Sequence, residues 1–344
     1  MATNCGEWSE ANSKVTVEEF LEEWNNASDT VLVHTSGSTG KPKPMWVEKR
    51  RMEASARLTC DFLGLHEGDT ALLCMPLDFI AGKMMVVRSL VRGLRLIDVP
   101  PGGHPLGVPI PQQGDGGGGA ATIDFAAMVP LQVWNSLQVA DERQRLMEIR
   151  HLIIGGGAID DRLAAELQTF PNAVWSTYGM TETLSHIALR RLSGPAATNW
   201  YTPMAGVGLK LGADSCLIID APAVHEGPLV TNDIAELAPD GRFRIVGRKD
   251  NVICSGGLKI QAEEVERVLR PHLPEPFMIS KRRDEKFGEV VVLLTEGDPS
   301  AAQDVCRQVL PKYWLPRAYV HTARIPLTAT GKPARKEAER LLDV

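Results

Sequence analysis

The sequence lacks the cysteine pattern and the long apolar runs that mark several specialised classes of protein. It contains no C-x-x-C pair, which argues against a structural zinc site or a disulfide framework and favours reduced thiols. The six cysteines are scattered, at Cys5, Cys60, Cys74, Cys216, Cys254 and Cys306. No apolar run approaches the roughly 20 residues of a membrane-spanning helix, and no basic segment leads into an apolar one at the N-terminus. We therefore expect a cytoplasmic protein without a secretory signal or membrane insertion.

An excess of positive charge is also missing. There are 37 lysine and arginine residues against 43 aspartate and glutamate residues, so the formal net charge is −6. Proteins that bind a nucleic acid backbone usually carry a basic excess, so this balance argues against nucleic acid as a partner. The hydrophobic (44%) and charged (23%) contents are ordinary for a globular protein, and 344 residues suffice for more than one domain. Self-association into a homo-oligomer is left open by the sequence.

What is present is an alternation of short apolar strands and amphipathic helices. Thr16 opens a helix with a capping box, because Glu19 stands three positions later. Buried strands are predicted at residues 31–34, 70–75, 94–99, 152–154 and 173–176, and a helix at 82–92. This alternation is typical of an α/β protein with largely buried sheets of parallel or mixed strands flanked by helices.

The pattern changes near Gly247-Arg248-Lys249-Asp250. Downstream we predict a helix at Ala262–Leu269, a strand at 290–294, a helix at 301–310 and a strand at Ala318–His321. Residues 250–344 therefore predict a small α+β domain after a larger domain at 1–249. Residues 100–122 are rich in proline and glycine and favour a mobile surface loop, with a functional lid as the alternative.

One loop has the composition of a phosphate-binding site. Thr35, Ser36, Gly37, Ser38, Thr39, Gly40, Lys41, Pro42 and Lys43 follow directly on the first predicted strand. The glycines free the backbone to curl its N–H groups around an anion, while the hydroxyls and lysines add donors and positive charge. A Walker-type loop needs four residues between its glycines, whereas two separate Gly37 from Gly40. A solvated Ser/Gly turn is the other interpretation of the loop alone.

Together with three later segments, this loop resembles the adenylate-forming superfamily of acyl-CoA synthetases, luciferases and peptide-synthetase adenylation domains. The segments are Tyr178-Gly179-Met180-Thr181-Glu182-Thr183, Thr231-Asn232-Asp233 with Gly247-Arg248-Lys249-Asp250, and Pro326-Leu327-Thr328-Ala329-Thr330-Gly331-Lys332. All four stand in the order found in that family. The resemblance implies a large N-terminal domain and a small mobile C-terminal domain.

The resemblance also implies a role for each residue. ATP would be bound by the loop residues Thr35 to Lys43, by Gly156, Gly157 and Ala158, by Thr177, Tyr178 and Gly179, and by Asp233 and Arg248. Glu182 would bind Mg²⁺, while Thr181, Glu182 and Lys332 would act in catalysis, with Lys332 brought to the α-phosphate. A carboxylic acid would form an acyl-adenylate, the C-terminal domain would pivot about the hinge at Asp250, and coenzyme A would enter past Gly256, Gly257 and Lys259.

The acid is indicated by an apolar segment that contains two cations, Lys83 and Arg88. An arginine there can pair with a second carboxylate of the substrate, although a residue reaching out to solvent fits the pattern equally well. This segment, the run from Tyr178 to Arg190 and the short chain resemble the o-succinylbenzoate–CoA ligases of menaquinone biosynthesis, in which an arginine at the position of Arg88 fills that role. Ser185 and His186 would line the same pocket, with a satisfied core histidine as the alternative.

The chain departs from that family in having its phosphate loop so close to the N-terminus. Full-length relatives have more than a hundred further residues before this loop, and the stretch between Glu182 and Asp233 is also short. We expect a compact, active variant, because every catalytic element is present. Other acyl- or aryl-CoA synthetases and a non-catalytic nucleotide-binding relative remain the alternatives.

Overall fold

The computed structural model describes residues 15–34, 44–109, 122–157, 159, 161–327 and 333–342. These fall into two compact units, the first formed by the described residues up to Gly208 with Asp220–Pro228, and the second by Leu209–Ile219 with the described residues from Leu229 onward. The domain boundary predicted after Lys249 lies within the second unit and remains a prediction. No helix among the described ranges has the length and apolar character needed to cross a membrane.

The first unit alternates helices and strands, as predicted. In chain order they are α1 (Val17–Asn25), β1 (Thr30–His34), β2 (Pro44–Glu48), α2 (Lys49–Leu63), β3 (Thr70–Leu73), α3 (Ile80–Arg92), β4 (Arg95–Asp98), β5 (Phe125–Met128), α4 (Pro130–Leu137), α5 (Ala140–Glu148), β6 (His151–Ile154), α6 (Asp161–Gln168), β7 (Ala173–Gly179), β8 (His186–Arg191) and β9 (Thr202–Pro203). The predicted capping box of α1 is confirmed: the Thr16 hydroxyl accepts from the Glu19 amide at 3.2 Å, and Glu19 accepts from the Thr16 amide at 2.9 Å.

A seven-stranded mixed sheet forms the centre of this unit, in the order β4-β3-β5-β6-β7-β8-β9. The first five strands pair in parallel and the last two join antiparallel. Every residue of β3 and β5 is buried, which explains why they are continuous apolar runs without alternation. The chain passes from β3 to β4 on one side and then crosses back to β5 on the other side of β3. In open α/β sheets, ligands bind at the carboxyl ends of the strands beside such a switch in strand order.

The second unit contains two sheets. Its elements are β10 (Gly208–Leu211), β11 (Cys216–Asp220), β12 (Leu229–Leu237), β13 (Phe243–Arg248), β14 (Val252–Ser255), β15 (Leu258–Gln261), α7 (Ala262–Leu269), β16 (Phe277–Asp284), β17 (Gly288–Thr295), α8 (Pro299–Val309), β18 (Ala318–His321) and α9 (Arg335–Leu342). Strands β10 to β13 form one sheet in chain order. Strands β14 to β18 form the other, in which β17 pairs with β14, β16 and β18.

Alternate residues of β17 point to opposite sides of this five-stranded sheet, and helices cover both of the apolar faces that result. Val291 and Leu293 pack in one cluster with residues of α7 and α8. Val292 and Leu294 pack in another with residues of α9. Both sets are buried, so the run at 290–294 is apolar throughout and was predicted correctly as a strand. The predicted fold class, α/β with a smaller α+β part, is thus confirmed.

Candidate functional site

Two of the predicted adenine-contacting segments lie side by side at the carboxyl edge of the seven-stranded sheet. Gly156 and Gly157 follow β6, and Thr177 to Gly179 end β7, which pairs in parallel with β6. The Thr177 hydroxyl donates to the Ile154 carbonyl at 3.3 Å and ties the two segments together. Gly156 has a φ of +78°, a conformation that costs glycine little. The sheet therefore brings these segments to the edge where ligands bind in α/β folds.

The backbone between Gly179 and His186 makes a tight turn. A Cβ on Gly179 would lie 2.2 Å from the Ser185 carbonyl oxygen, so only glycine fits there. Leu184 has a φ of +63°, which is strained for a branched side chain. Thr183 is fully buried and holds the turn, because its hydroxyl donates to the Ser185 carbonyl at 2.7 Å and accepts from the Met180 amide at 3.0 Å. This turn fixes the place of Thr181, Glu182 and Ser185.

Glu182 is exposed on the short helical turn Thr181–Thr183 that follows β7. Among the described residues, no lysine, arginine or histidine forms an ion pair with it, and no group of three or more metal-ligating side chains occurs there. Mg²⁺ commonly retains several waters and is held by one or two carboxylates together with phosphates. A single exposed carboxylate at this edge fits such an ion.

Tyr178 forms an aromatic pair with Tyr201, with ring centroids 5.8 Å apart and planes inclined at 56°. The Tyr201 hydroxyl bonds Ser176 at 3.0 Å, and the Arg190 guanidinium lies 5.4 Å from the Tyr201 ring. Tyr201 was missed from the sequence, since it stands in a stretch without a motif. The aromatic dipeptide Trp200-Tyr201 was the one available signal. Tyr201 supports the ring that was predicted to stack on adenine.

Arg88 lies on α3 and is only 2% exposed. Its Nη2 donates to the Ser185 hydroxyl at 2.6 Å, and its guanidinium lies 6.0 Å from the Phe125 ring. Its Nε has no hydrogen-bond partner, and no carboxylate pairs with the guanidinium within the described part of the chain. Burial lowers the pKa of Arg88 to about 10, so the side chain remains charged at neutral pH. The interpretation of Arg88 as a solvent-reaching side chain is therefore wrong.

His186, next to Ser185, is also buried, and its Nδ1 lies 3.2 Å from the Ser185 hydroxyl. Burial lowers the pKa of His186 well below its usual range, and the charge of Arg88 lowers it further. The imidazole is therefore neutral at neutral pH. Three of the four residues predicted to bind the acid, Arg88, Ser185 and His186, are thus contiguous in the structure.

Lys83, the fourth, makes other contacts. Its ammonium donates to Glu23 at 2.8 Å and to the Leu32 carbonyl at 3.0 Å, and lies 5.0 Å from the Phe20 ring. These contacts join α3 to α1 and β1. They favour a structural role for Lys83, so its role in substrate binding remains a prediction that the geometry does not favour.

In the second unit, Asp233 and Arg248 are cross-strand partners on β12 and β13. Arg248 donates to Asp233 at 2.8 Å and to Asp250 at 3.3 Å, and Asn232 also donates to Asp250 at 3.3 Å. Asp233 is 8% exposed, so its carboxylate is held in place. The two motifs predicted for the ribose site are therefore brought together by the register of one β-hairpin.

Gly256 and Gly257 form the two-residue turn between β14 and β15, closed by the pair Ser255 and Leu258. Their φ values of +56° and +85° are those of the hairpin turn that requires positive φ at both positions. The turn itself thus accounts for both glycines, and their predicted role in admitting coenzyme A remains untested. Lys259 is exposed on β15 beside this turn.

The remaining predicted residues lie outside the described residues: the loop of Thr35, Ser36, Gly37, Ser38, Thr39, Gly40, Lys41 and Lys43, together with Ala158 and Lys332. The ends of the loop are joined, because His34 and Pro44 pair across antiparallel strands β1 and β2. Leu327 and Pro333 likewise pair on either side of the segment that contains Lys332.

Residues 3–230, well over half of the chain, match the family described as AMP-binding enzyme, and the chain belongs to that family. A solved structure from Dyadobacter fermentans, described as an acyl-CoA synthetase (AMP-forming)/AMP-acid ligase II-like protein, is 30% identical. The alignment covers 93% of this chain and 91% of that one, with a TM-score of 0.63.

Two further relatives carry more specific names. A 2-succinylbenzoate–CoA ligase of Bacillus mycoides is 24% identical over 355 residues, which cover 94% of this chain and 72% of the relative. The o-succinylbenzoate coenzyme A synthetase of Bacillus subtilis, solved with ATP and magnesium ion, is 22% identical. It has a TM-score of 0.70, with 89% of this chain and 69% of that chain covered. The fold is thus that of the adenylate-forming enzymes.

Proposed function

We propose that this chain is an AMP-forming acid–CoA ligase that activates 2-succinylbenzoate, a step of menaquinone biosynthesis, with ATP, Mg²⁺ and coenzyme A. One observation supports this acid above others: Arg88 is a buried, charged arginine without a carboxylate partner among the described residues. An unpaired buried charge is costly, so a position of this kind favours an anionic ligand. 2-Succinylbenzoate has one carboxylate to be activated and a second, on its ring, to pair with Arg88.

The ligase named in Bacillus mycoides and the synthetase solved from Bacillus subtilis act on this acid by name, which supports the proposal. Other acyl- or aryl-CoA synthetases share the adenylation site and remain the alternative, and a non-catalytic nucleotide-binding relative is the third. A panel of acids separates the three.

In the first half-reaction, an oxygen of the succinyl carboxylate attacks the α-phosphorus of ATP. The bond from that phosphorus to the bridging oxygen breaks, and pyrophosphate leaves. Glu182 and the phosphates would hold Mg²⁺, which would supply positive charge opposite the departing group. Tyr178 stacks on adenine, and the backbone at Gly156 and Gly157 allows a close approach.

Asp233 accepts from the ribose hydroxyls, with Arg248 fixing its carboxylate at 2.8 Å. Thr181 donates to the α-phosphate or to the acyl carbonyl. Lys332 and the loop at Thr35 to Lys43 supply positive charge along the triphosphate.

In the second half-reaction, the sulfur of coenzyme A attacks the acyl carbonyl carbon. The bond from that carbon to the phosphate oxygen breaks, AMP leaves, and the thiol proton passes to solvent. Under this proposal the small domain pivots at Asp250 between the two half-reactions and brings Gly256, Gly257 and Lys259 to the thiol.

The test is pyrophosphate release with a panel of acids. We expect 2-succinylbenzoate to be turned over far better than 4-oxo-4-phenylbutanoate, which has the same skeleton without the ring carboxylate, and better than benzoate or a fatty acid. A preference for one of the latter acids would assign the chain to another acyl-CoA synthetase. If no acid of the panel causes pyrophosphate release while ATP still binds, the chain belongs to the non-catalytic class.

Arg88→Met provides the residue-level test. Removing one member of a buried charged pair costs about 2–5 kcal/mol, so the KM for 2-succinylbenzoate should rise by at least 30-fold, or about 2 kcal/mol, and the KM for 4-oxo-4-phenylbutanoate should not change. Arg92→Met is the matched control, since Arg92 lies on the same helix and pairs with Asp61. Equal effects of both variants would discard the role of Arg88.

A further inference from the structure

A chain of hydrogen bonds runs away from Arg88 into the core of the first unit. After the Ser185 hydroxyl and His186 Nδ1, it continues from His186 Nε2 to the Thr59 hydroxyl, 3.1 Å away. The Thr59 hydroxyl in turn lies 3.2 Å from the Ser55 carbonyl, one turn earlier on α2. Thr59 is fully buried. The chain therefore joins α2, α3 and the start of β8, and Thr59 belongs to none of the sequence motifs.

One set of bond directions gives every donor and acceptor in this chain of hydrogen bonds a partner. The guanidinium of Arg88 can only donate, so the Ser185 oxygen accepts from it. Within the described residues, His186 Nδ1 is the one acceptor recorded for the Ser185 hydroxyl hydrogen. Nδ1 is then unprotonated, and the neutral ring must have its hydrogen on Nε2. Nε2 donates to Thr59, whose own hydrogen goes to the Ser55 carbonyl, which can only accept.

We infer that Thr59 and His186 are positioning residues for Arg88, which set the Ser185 hydroxyl as an acceptor and so anchor one nitrogen of the guanidinium. Nε and Nη1 then remain without an oxygen partner among the described residues, and Nη1 lies 3.7 Å from the Met85 sulfur. The ligand of these nitrogens is a carboxylate. Its identity as the ring carboxylate of 2-succinylbenzoate rests on the proposed function, whereas the hydrogen-bond chain does not.

The role of Thr59 follows from the two protonation sites of the His186 imidazole. Without the Thr59 hydroxyl, an Nε2–H would be buried without an acceptor, so the hydrogen would move to Nδ1. Nδ1–H would then donate to Ser185, and the Ser185 hydroxyl hydrogen would lose its acceptor. Without its acceptor, the Ser185 hydroxyl hydrogen would point towards the Arg88 N–H and weaken the hydrogen bond that Arg88 donates to Ser185. The effect of a change at α2 would therefore reach the guanidinium.

The kinetic test compares Thr59→Val, which keeps the shape without the hydroxyl, with Thr59→Ser, which keeps the hydroxyl. For Thr59→Val we expect the KM for 2-succinylbenzoate to rise about tenfold, because a buried hydrogen bond to a charged group is weakened. The KM for 4-oxo-4-phenylbutanoate and the kcat for both acids should not change. Thr59→Ser should behave as the unmodified protein. An equal rise for both acids, or no rise, would overturn the inference.

The second test needs no substrate. Nitrogen-15 spectra of the histidine rings report which nitrogen holds the hydrogen, and the His186 signals are assigned as those lost in His186→Asn. We expect the Nε2–H form in the unmodified protein and in Thr59→Ser, and the Nδ1–H form in Thr59→Val. An Nδ1–H form in the unmodified protein would refute the chain. If 2-succinylbenzoate proves not to be a substrate, the proposed function fails and this spectrum alone decides the inference.

Discussion

Gly179 shows how one residue can determine the geometry of a site. The atoms that a Cβ would meet there are backbone, the Ser185 oxygen at 2.2 Å and the His186 Cα at 2.4 Å, and backbone cannot turn aside as a side chain can. We expect Gly179→Ala to lower the free energy of unfolding by about 1–3 kcal/mol, as overpacked sites do. Urea denaturation measures this.

Gly102→Ala is the control for that variant. A Cβ there meets nothing closer than the Pro100 oxygen at 4.0 Å, and its φ lies outside the left-handed region. The midpoint of its urea denaturation should therefore match that of the unmodified protein. A Gly179→Ala protein as stable as the control would show that the turn after β7 is free to move.

His186 predicts a pH dependence of stability. The unfolded imidazole has a pKa of about 6.5, while burial and Arg88 lower the folded pKa well below that value. Below about pH 6.5 the unfolded state therefore binds the proton more readily, and His186 lowers stability by up to about 1.4 kcal/mol per pH unit. Above that pH its contribution does not change with pH.

Urea denaturation at about pH 7, 6 and 5 tests this prediction. His186→Asn should lose less stability on acidification than the unmodified protein. His225→Asn makes the same chemical change at a residue whose Nδ1 lies 3.0 Å from the Gly227 carbonyl oxygen, and is the control for the substitution itself. Equal slopes for all three proteins would mean that His186 does not remain neutral in the folded state.

Most of the cluster that we propose to bind the acid was identified from the sequence. Arg88 was found because a cation on an apolar helix is unusual, and Ser185 and His186 because they follow a recognisable motif. Thr59 was not, since a threonine within an amphipathic helix has no distinguishing pattern. Its partner His186 is 127 residues away, and only the fold brings the two together.

Among the elements, α9 is joined to α7 by a nearly buried ion pair, in addition to its apolar packing. Both Arg335 Nη atoms donate to Glu266 of α7, each at 2.8 Å, and the Glu266 carboxylate also accepts from the Ile279 amide at 2.8 Å. Both side chains are nearly buried, with 12% and 9% exposed. This pair fixes the helix that follows Lys332 against the rest of the second unit.

Arg335→Met leaves the Glu266 charge buried without its partner, and we expect it to lower the free energy of unfolding by about 3–5 kcal/mol. Lys336→Met, at the exposed neighbouring position, is the control and should cost little. Replacing Glu266 by leucine in the Arg335→Met background should restore much of the loss, because no lone charge then remains. The free energies of unfolding of the two single variants and the double variant, measured by urea denaturation, test this coupling. If the losses of the two single variants simply add in the double variant, Arg335 and Glu266 are not coupled.

Helices α1, α3, α7 and α8 were predicted from the sequence, with α7 and β18 at the predicted bounds, whereas α2, α4, α5, α6 and α9 were missed. Strand β5 was missed, since Phe125–Met128 is four apolar residues with no alternation. Strands β10 to β13 were missed as a sheet because their pairing depends on long-range contacts. That sheet nevertheless holds Asp233 and Arg248 in register.

Across the whole molecule, burial divides the thiols. Of the five described cysteines, Cys254 is exposed and the other four are buried. Burial raises the pKa of Cys74 to about 12 and that of Cys306 to about 11, so neither forms an appreciable thiolate at neutral pH. We expect one fast-reacting thiol in native Cys5→Ser protein, measured with a disulfide reagent and located by mass spectrometry.

Cys254→Ser in the same background should remove the fast phase, while full reactivity should return in denaturant. Fast modification of Cys74 in the native protein would mean that the sheet opens where β3 ends. The fold class was predictable at this scale from the alternation of strands and helices. The two units were not, because residues 209–219 join the second unit through pairing with β12.

That arrangement means that the backbone passes from one unit to the other three times, after Gly208, Ile219 and Pro228. A single proteolytic nick at any of these points yields two polypeptides, at least one of which contributes residues to both units. A chimera that exchanges the second unit between relatives would need three junctions in the coding sequence. One junction after Lys249 would instead divide that unit, leaving β10–β13 with the old protein and β14–β18 with the new.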